Sequence, residues 1–190
     1  MEVLAEPQLI RLLSDRVMLR PALGGDAAQI QAYNLKNRSH LQPWQPTRPA
    51  GFFDLDAIIW RINVNESDRL AGRSLHLLMC ERSTGEMIGE CNFTQIALGA
   101  FQACYLGYSL AKKAEGQGLM TESLRTAIGY VFSELGLHRI MANYVPDNER
   151  SARVLAALGF EIEGRARAYL KINGRWADHV LTALVNPDPS

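Results

Sequence analysis

Residues 108–120, YSLAKKAEGQGLM, decide the fold, because they lead from a strand-like segment through a short loop into an amphipathic helix. The loop contains Gly116 and Gly118, which let the backbone approach a phosphate group closely. Unpaired N–H groups at the start of the helix point outward, and the helix dipole favours negative charge there. The segment therefore predicts an anion site, although a turn that merely uses two glycines has the same spacing.

A second strand–helix unit follows at residues 138–160, HRIMANYVPDNERSARVLAALGF. Asn148 is placed to cap its helix, Ser151 lies in the first turn and Gly159 closes the end. The glycine spacing of the earlier loop is neither G-x-G-x-x-G nor G-x-x-x-x-G-K-[ST]. This spacing counts against dinucleotides and nucleoside triphosphates as ligands.

The rest of the chain alternates strands and helices, with a loop at 37–51 that is predicted from Pro43, Pro46 and Pro49. Strands are predicted at 17–20, 74–81, 87–95, 103–110 and 138–145, and 74–81 and 87–95 are predicted to form a hairpin through the turn at 83–86. A second hairpin with an Asn-Gly turn is predicted at 168–185, and helices are predicted at 26–36, 55–70, 119–135 and 149–158. This order indicates a mixed α/β sheet in one layer with helices packed on it.

Composition sets limits on the class of protein. With 190 residues and 47% hydrophobic side chains, the chain predicts one domain spanning 1–190, with disordered or weakly held residues at both termini. Lys plus Arg and Asp plus Glu both number 20, which argues against nucleic-acid or membrane partners. No signal-peptide core or long apolar run is visible, so we expect a soluble protein.

The cysteines and histidines predict neither disulfides nor a metal site. Three cysteines without C-x-x-C spacing fit a reducing cytoplasm, and four histidines show no ligand spacing. Cys104 is expected to pack as a small hydrophobe rather than to carry an acyl group, because no partner histidine is identifiable by spacing.

The two strand–helix units together resemble the GNAT superfamily, whose pyrophosphate loop has the form [QR]-x-x-G-x-[GA]. Closer likeness to the bacterial RimJ-type ribosomal-protein-alanine N-acetyltransferases lies in NRSHLQPWQPTRP, ACYLGYSL, GQGLMTES, LHRIMANYVPDNERS and INGRWADHVLTAL. The resemblance covers nearly the whole chain. It implies the GNAT acyl-CoA N-acyltransferase fold, a single three-layer domain, with acetyl-CoA as cosubstrate and no metal.

The resemblance also implies a set of cofactor-binding residues. Backbone groups of Tyr108, Ser109 and Leu110 would meet the pantetheine arm, and Asn148 is a helix cap, a coenzyme ligand or both. The pyrophosphate would be surrounded by Glu115, Gly116, Gln117, Gly118, Leu119 and Met120.

Two of these residues depart from the superfamily pattern, which has Gln or Arg at the position of Glu115 and Gly or Ala at that of Met120. Since a carboxylate beside a phosphate is repulsive, we expect Glu115 to point to solvent. Backbone N–H groups, with Lys112 or Lys113, would then supply the attraction.

The expected chemistry is direct attack of a neutral amine on the thioester. Ser151 is the first choice as proton donor to the thiolate, by resemblance; the alternative is that it belongs to the cap made by Asn148. Glu90 is the best charged candidate for the general base, because a carboxylate on a central strand can face the cleft. A water held by Asn92 is the competing arrangement.

The acceptor is predicted to be a protein N-terminus, namely N-terminal alanine of a small-subunit ribosomal protein, by resemblance. An α-amino group, with a pKa of about 7.7–8.0, is partly neutral near pH 7 and suits a site without an evident base. Candidate substrate-lining residues are Trp44, Tyr33, Tyr105 and Tyr169. One alternative is an acetyltransferase that acts on a small-molecule amine (polyamine or drug), and another is a non-catalytic acetyl-CoA-binding or ribosome-docking module. The protein is expected to be a monomer or a homodimer.

Overall fold

The protein, seen here as a computed structural model that describes residues 10–187, is built on one eight-stranded sheet. The prediction for the two termini concerns residues outside this range. The strands are β1 (Leu12–Leu13), β2 (Val17–Arg20), β3 (Leu75–Glu81), β4 (Met87–Ala97), β5 (Ala103–Leu110), β6 (Arg139–Met141), β7 (Glu161–Ile172) and β8 (Arg175–Val185). The helices are α1 (Ala27–Lys36), α2 (Arg38–Leu41), α3 (Leu55–Leu70), α4 (Leu119–Ser133) and α5 (Glu149–Ala157).

The sheet order is β1-β2-β3-β4-β5-β6-β8-β7, and every neighbouring pair is antiparallel except β5 and β6. The two predicted hairpins are confirmed, since β3 pairs with β4 and β7 pairs with β8. Asn173 and Gly174 form the second turn with φ of 44° and 81°, a conformation that these two residue types tolerate. The mixed sheet predicted from the sequence is therefore observed.

Helices cover both faces of the sheet and give three layers. Along β4, Glu90 and Asn92 face a cavity under α1 and α3, whereas Cys91 and Phe93 are fully buried in the main core with Leu124 of α4. This alternation follows from the pleat, which turns successive side chains to opposite faces. The sheet therefore separates an α1/α3 side from an α4/α5 side.

The prediction of a loop over 37–51 was wrong for its first part, which contains α2 and a 3₁₀ turn at Gln42–Trp44. Pro43 lies at the start of that turn, where a backbone donor is not needed. Tertiary contacts hold the segment in place: the Asn173 N–H donates to the carbonyl of Gln45 over 2.8 Å. The prolines therefore initiate a turn rather than preventing one.

The parallel pair β5–β6 is the feature that positions the site. The two strands pair only through residues 103–105 and 139–141 in the part of the chain that the structure describes. β5 continues to Leu110, while the chain after β6 turns away and Tyr144 bridges to Val180 of β8. The predicted strand at 138–145 is thus shorter than expected, because the sheet separates there. The separation opens a cleft between β5 and the chain leading to α5.

Candidate active site

The cleft between β5 and β6 has a volume of about 510 Å³. One wall is residues 106–110 of β5, and the other is residues 142–145 with the start of α5. Backbone N–H and C=O groups on the open edge of β5 face this space without a strand partner, since the other edge pairs with β4. Such an edge is suited to binding an extended ligand by hydrogen bonds.

The glycine loop lies at one end of the cleft, as the sequence predicted. Gly116 and Gly118 have φ of 72° and 75°, and Gly118 directly precedes α4. The Glu122 N–H donates to Gly118 O over 3.0 Å, which leaves the N–H groups of residues 119–121 without an acceptor in the helix. These groups and the helix dipole create a favourable potential for an anion.

Most of the predicted pyrophosphate residues line the cleft: Glu115, Gly116, Gly118, Leu119 and Met120. Gln117 does not line it, because its side chain donates to Lys113 O over 3.0 Å and its own carbonyl accepts from Arg16 over 3.0 Å. Gln117 therefore supports the loop from outside. Arg16, which sequence reasoning missed, also binds Glu122 at 2.6 Å and ties the loop to the sheet.

The expectation that Glu115 points to solvent was wrong. Its carboxylate lies 2.9 Å from Arg150 of α5 and 3.2 Å from His40 of α2, and its side chain is only 24% exposed. Lys113 pairs instead with Glu86 at 2.5 Å. The residues that pair with Glu115 therefore come from α2 and α5. Both helices are distant from the loop in sequence, so the spacing of residues along the chain could not predict these contacts.

Ser151 and Asn148 are brought together with Tyr108. The Asn148 side chain accepts a hydrogen bond from the backbone N–H of Ser151 at 3.1 Å, which confirms the predicted cap. The cap uses only the backbone of Ser151, so its hydroxyl is free to lie 2.8 Å from the Tyr108 hydroxyl. Burial raises the pKa of Tyr108 to about 12, with the bond to Ser151 opposing the shift. Tyr108 is therefore a neutral, protonated phenol near pH 7.

Glu90 lies on the other side of the sheet from Ser151. It is paired with Ser109 in the β4–β5 register, and the Ser109 hydroxyl donates to its carboxylate at 3.4 Å. Ser109 lines the cleft, whereas Glu90 faces the cavity under α1 and α3. The two predicted catalytic residues thus approach β5 from opposite faces and are not in contact.

The four aromatic residues predicted to line the substrate site occupy different places. Trp44 lines the cleft and is 37% exposed. Tyr105 and Tyr169 lie against each other, and Asn143 of the cleft wall donates to the Tyr169 hydroxyl at 3.2 Å. Tyr33 is only 4% exposed, so its placement on an open substrate wall was wrong. Its hydroxyl lies 2.8 Å from Ser109 Oγ instead and orients that residue.

His179 is a cleft residue that sequence reasoning did not select. It is 3% exposed, packs against Tyr169 and places Nδ1 3.0 Å from Ala177 O. Because a carbonyl can only accept, Nδ1 of His179 donates to Ala177 O, and this bond orients the ring. The sequence did not single out His179, because the pattern of a hairpin strand does not show which of its residues reach a cleft.

Cys104 is fully buried, and burial raises the pKa of its thiol to about 12. An acyl-carrying thiolate is therefore disfavoured at this position. Among residues 10–187, no cluster of three or more His, Cys, Asp or Glu side chains is arranged to hold a metal ion. Within the same residues no helix has the length and apolar character needed to cross a membrane.

The fold and cleft are those of an acetyl-CoA-binding acyltransferase, and a family model described as an acetyltransferase (GNAT) domain matches residues 16–161. The chain belongs to the GNAT family of N-acetyltransferases.

Similarity extends beyond this domain. The chain is 42% identical over 179 residues to the [ribosomal protein uS5]-alanine N-acetyltransferase of Escherichia coli, covering 94% of this chain and 92% of that one. Two solved structures match closely. The ribosomal-protein-S5-alanine acetyltransferase of Vibrio fischeri has a TM-score of 0.91 at 35% identity, covering 95% of this chain and 99% of that one. RimJ of Mycobacterium smegmatis, in complex with CoA-disulfide, has a TM-score of 0.87 at 28% identity, covering 95% and 90%.

Proposed function

We propose that this protein transfers the acetyl group of acetyl-CoA to the α-amine of N-terminal alanine of a ribosomal protein of the small subunit, in the bacterial cytoplasm. The observation that carries the proposal is the open edge of β5, which bears Tyr108 beside Ser151 and leads towards the glycine loop. The acceptor is inferred from the E. coli and V. fischeri relatives, whose names specify alanine of uS5.

The geometry of the cleft suits acetyl-CoA. Gly116 and Gly118 adopt left-handed φ, and the N–H groups of residues 119–121 lack helical acceptors. These are the features of a pyrophosphate cradle. The open edge formed by Tyr108, Ser109 and Leu110 is suited to the amide groups of the pantetheine arm, and Arg150 and Asn148 border the same space.

Acetyl-CoA supplies the thioester carbonyl and a thiolate leaving group. Ser151 donates the proton that the thiolate needs, and Tyr108, bonded to Ser151 at 2.8 Å and protonated near pH 7, returns a proton to Ser151. Tyr108 regains its proton from solvent when coenzyme A leaves the cleft. Unpaired N–H groups on the β5 edge stabilise negative charge on the carbonyl oxygen during attack. No metal is required for this sequence of proton transfers.

Glu90 receives the acceptor amine on the opposite face of β5. Its carboxylate is held by Ser109, and Ser109 is in turn held by Tyr33. A carboxylate in this position attracts the ammonium form of the amine and accepts its proton directly or through water. Since an α-amine has a pKa of about 7.7–8.0, only a weak base is needed.

The test is to incubate the purified protein with acetyl-CoA and peptides that differ only in their N-terminal residue, following free coenzyme thiol and identifying products by mass spectrometry. We expect one acetyl group on the α-amine of the alanine peptide and none on a peptide whose N-terminus is blocked. Thiol release with polyamines or aminoglycosides alone would contradict the proposal in favour of a small-molecule acceptor. Coenzyme binding without turnover of any amine would indicate a non-catalytic module.

A further inference from the structure

A second cavity of about 100 Å³ lies between the sheet and helices α1 and α3. It adjoins the acetyl-CoA cleft across β5, because Glu90 and Asn92 line the cavity and are paired with Ser109 and Gly107, which line the cleft. An amine that reaches the thioester from the Glu90 side therefore has the rest of its chain beside this cavity.

Two arginines border the cavity without a carboxylate partner. Arg48 and Arg61 both stack on the ring of Phe52, with guanidinium carbons 4.4 and 4.0 Å from its centroid. Arg61 donates to the Phe52 carbonyl at 2.8 Å, and Arg48 contacts Gln45 at 3.5 Å. Neither arginine forms an ion pair with a carboxylate of residues 10–187. The stack fixes both guanidinium groups while leaving donors on them unused.

The charge around the cavity is unbalanced. Arg69 is neutralised by Glu66 at 2.7 Å, so Glu90 alone faces the positive charges of Arg48 and Arg61. His76 also lines the cavity, and burial lowers its pKa, which keeps it neutral near pH 7. Burial likewise lowers the pKa of Arg48 and Arg61, and the proximity of Arg48 lowers that of Arg61 further. The lining thus carries one uncompensated positive charge.

We propose that Arg48 and Arg61 form a carboxylate-binding subsite that selects acceptor chains with an acidic side chain within a few residues of the N-terminal alanine. This inference rests on the proposed function. Glu90 takes the α-ammonium group, and the arginine pair takes a carboxylate farther along the same acceptor. Planar guanidinium groups bind a carboxylate through paired N–H donors, which gives both attraction and orientation.

The experiment compares alanine-starting peptides of one sequence that carry Glu or Gln at position 2, 3, 4 or 5. For the wild-type protein, we expect kcat/KM to be about tenfold higher with Glu than with Gln at one of these positions, as for a hydrogen-bonded charge pair. The Glu-to-Gln ratio should fall towards one in Arg48→Gln and Arg61→Gln, whatever effect each substitution has on the activity with the Gln peptide. High salt should lower the ratio in the wild type.

Arg38→Gln is the matched control, because Arg38 stacks on Phe53 at 5.2 Å but does not line the cavity. Its Glu-to-Gln ratio should equal that of the wild type. If the wild-type protein acetylates all Glu and Gln peptides equally well, the subsite is refuted and the proposed function stands. If it acetylates no alanine peptide, the proposed function fails first. The Glu-to-Gln ratio of the wild-type protein tests the subsite by itself, so the test does not depend on whether Arg61→Gln folds.

Discussion

Ser151 and Tyr108 place two hydroxyl groups 2.8 Å apart at the cleft, with a phenol whose pKa is raised to about 12 by burial. A buried pair of this kind is suited to delivering a proton, because the phenol stays protonated throughout the physiological range. The roles of Ser151 and Tyr108 are therefore coupled.

Replacing either residue should slow the chemical step. We expect Ser151→Ala and Tyr108→Phe each to lower kcat by about a hundredfold with little change in the KM for acetyl-CoA. The double variant should be no slower than the worse single variant, since the pair acts as a unit. Steady-state release of free thiol measures kcat and the KM for acetyl-CoA in each variant. Tyr130→Phe, on the outer part of α4, is the control, and wild-type kcat in both single variants would refute the proton-donor role.

Glu90 and Ser151 lie on opposite sides of β5. A strand turns successive side chains to opposite faces of the sheet. Ser109 and Tyr108 are adjacent in sequence, and each contacts one of the two candidates. A reaction that needs both groups must therefore pass through the gap where β5 has no partner.

At the scale of the element, the glycine loop and the start of α4 form one unit. Gly118 holds φ of 75°, so an alanine there costs about 1–2 kcal/mol in a left-handed conformation. A Cβ atom at this position would meet only Arg16, at 3.7 Å, so the cost arises from the backbone. The loop conformation is what aims the N–H groups into the cleft.

We therefore expect Gly118→Ala to raise the Kd of coenzyme A by about tenfold, the equivalent of about 1.4 kcal/mol, and to lower the free energy of unfolding. Gly129→Ala is the matched control in the same helix, because its Cβ would meet no atom within 4 Å. This control should stabilise the protein by about 0.5–1 kcal/mol without changing coenzyme affinity. Calorimetric titration measures the Kd of coenzyme A, and urea unfolding measures the free energy of unfolding. Equal affinity in the two variants would contradict a role for the loop backbone.

At the scale of the whole molecule, burial keeps several acidic groups neutral. Cys104 and Tyr108 have pKa values raised to about 12, and burial also raises the pKa of Cys91 and of Tyr33. In the unfolded chain, thiols ionise near pH 8.5 and phenols near pH 10. The unfolded state therefore loses protons first as the pH rises.

Stability should consequently be full below about pH 8.5 and should fall as the pH rises towards the folded pKa values. Each of these groups contributes a slope of up to about 1.4 kcal/mol per pH unit within its window. Urea unfolding at a series of pH values measures the slope. Cys104→Ala should lower overall stability but reduce the alkaline slope. A free energy of unfolding that stays constant up to about pH 11 would contradict this expectation.

The local helices, turns and caps and the glycine loop could be predicted without coordinates. These features depend on residues that are close together in the chain. They are the helical spacing of apolar residues in α3 and α4, the Asn-Gly hairpin turn and the Asn148 cap. The positions of Gly116 and Gly118 before a helix predicted the anion site for the same reason.

The contacts across the cleft could not be predicted from local sequence. The pairing of Glu115 with His40 and Arg150, the burial of Tyr33 and the stacking of Arg48 and Arg61 on Phe52 depend on segments that meet only when the sheet is assembled. The same holds for the early separation of β5 from β6, which creates the cleft. Contacts between distant segments are set by the packing of the whole chain, so local sequence patterns cannot predict them.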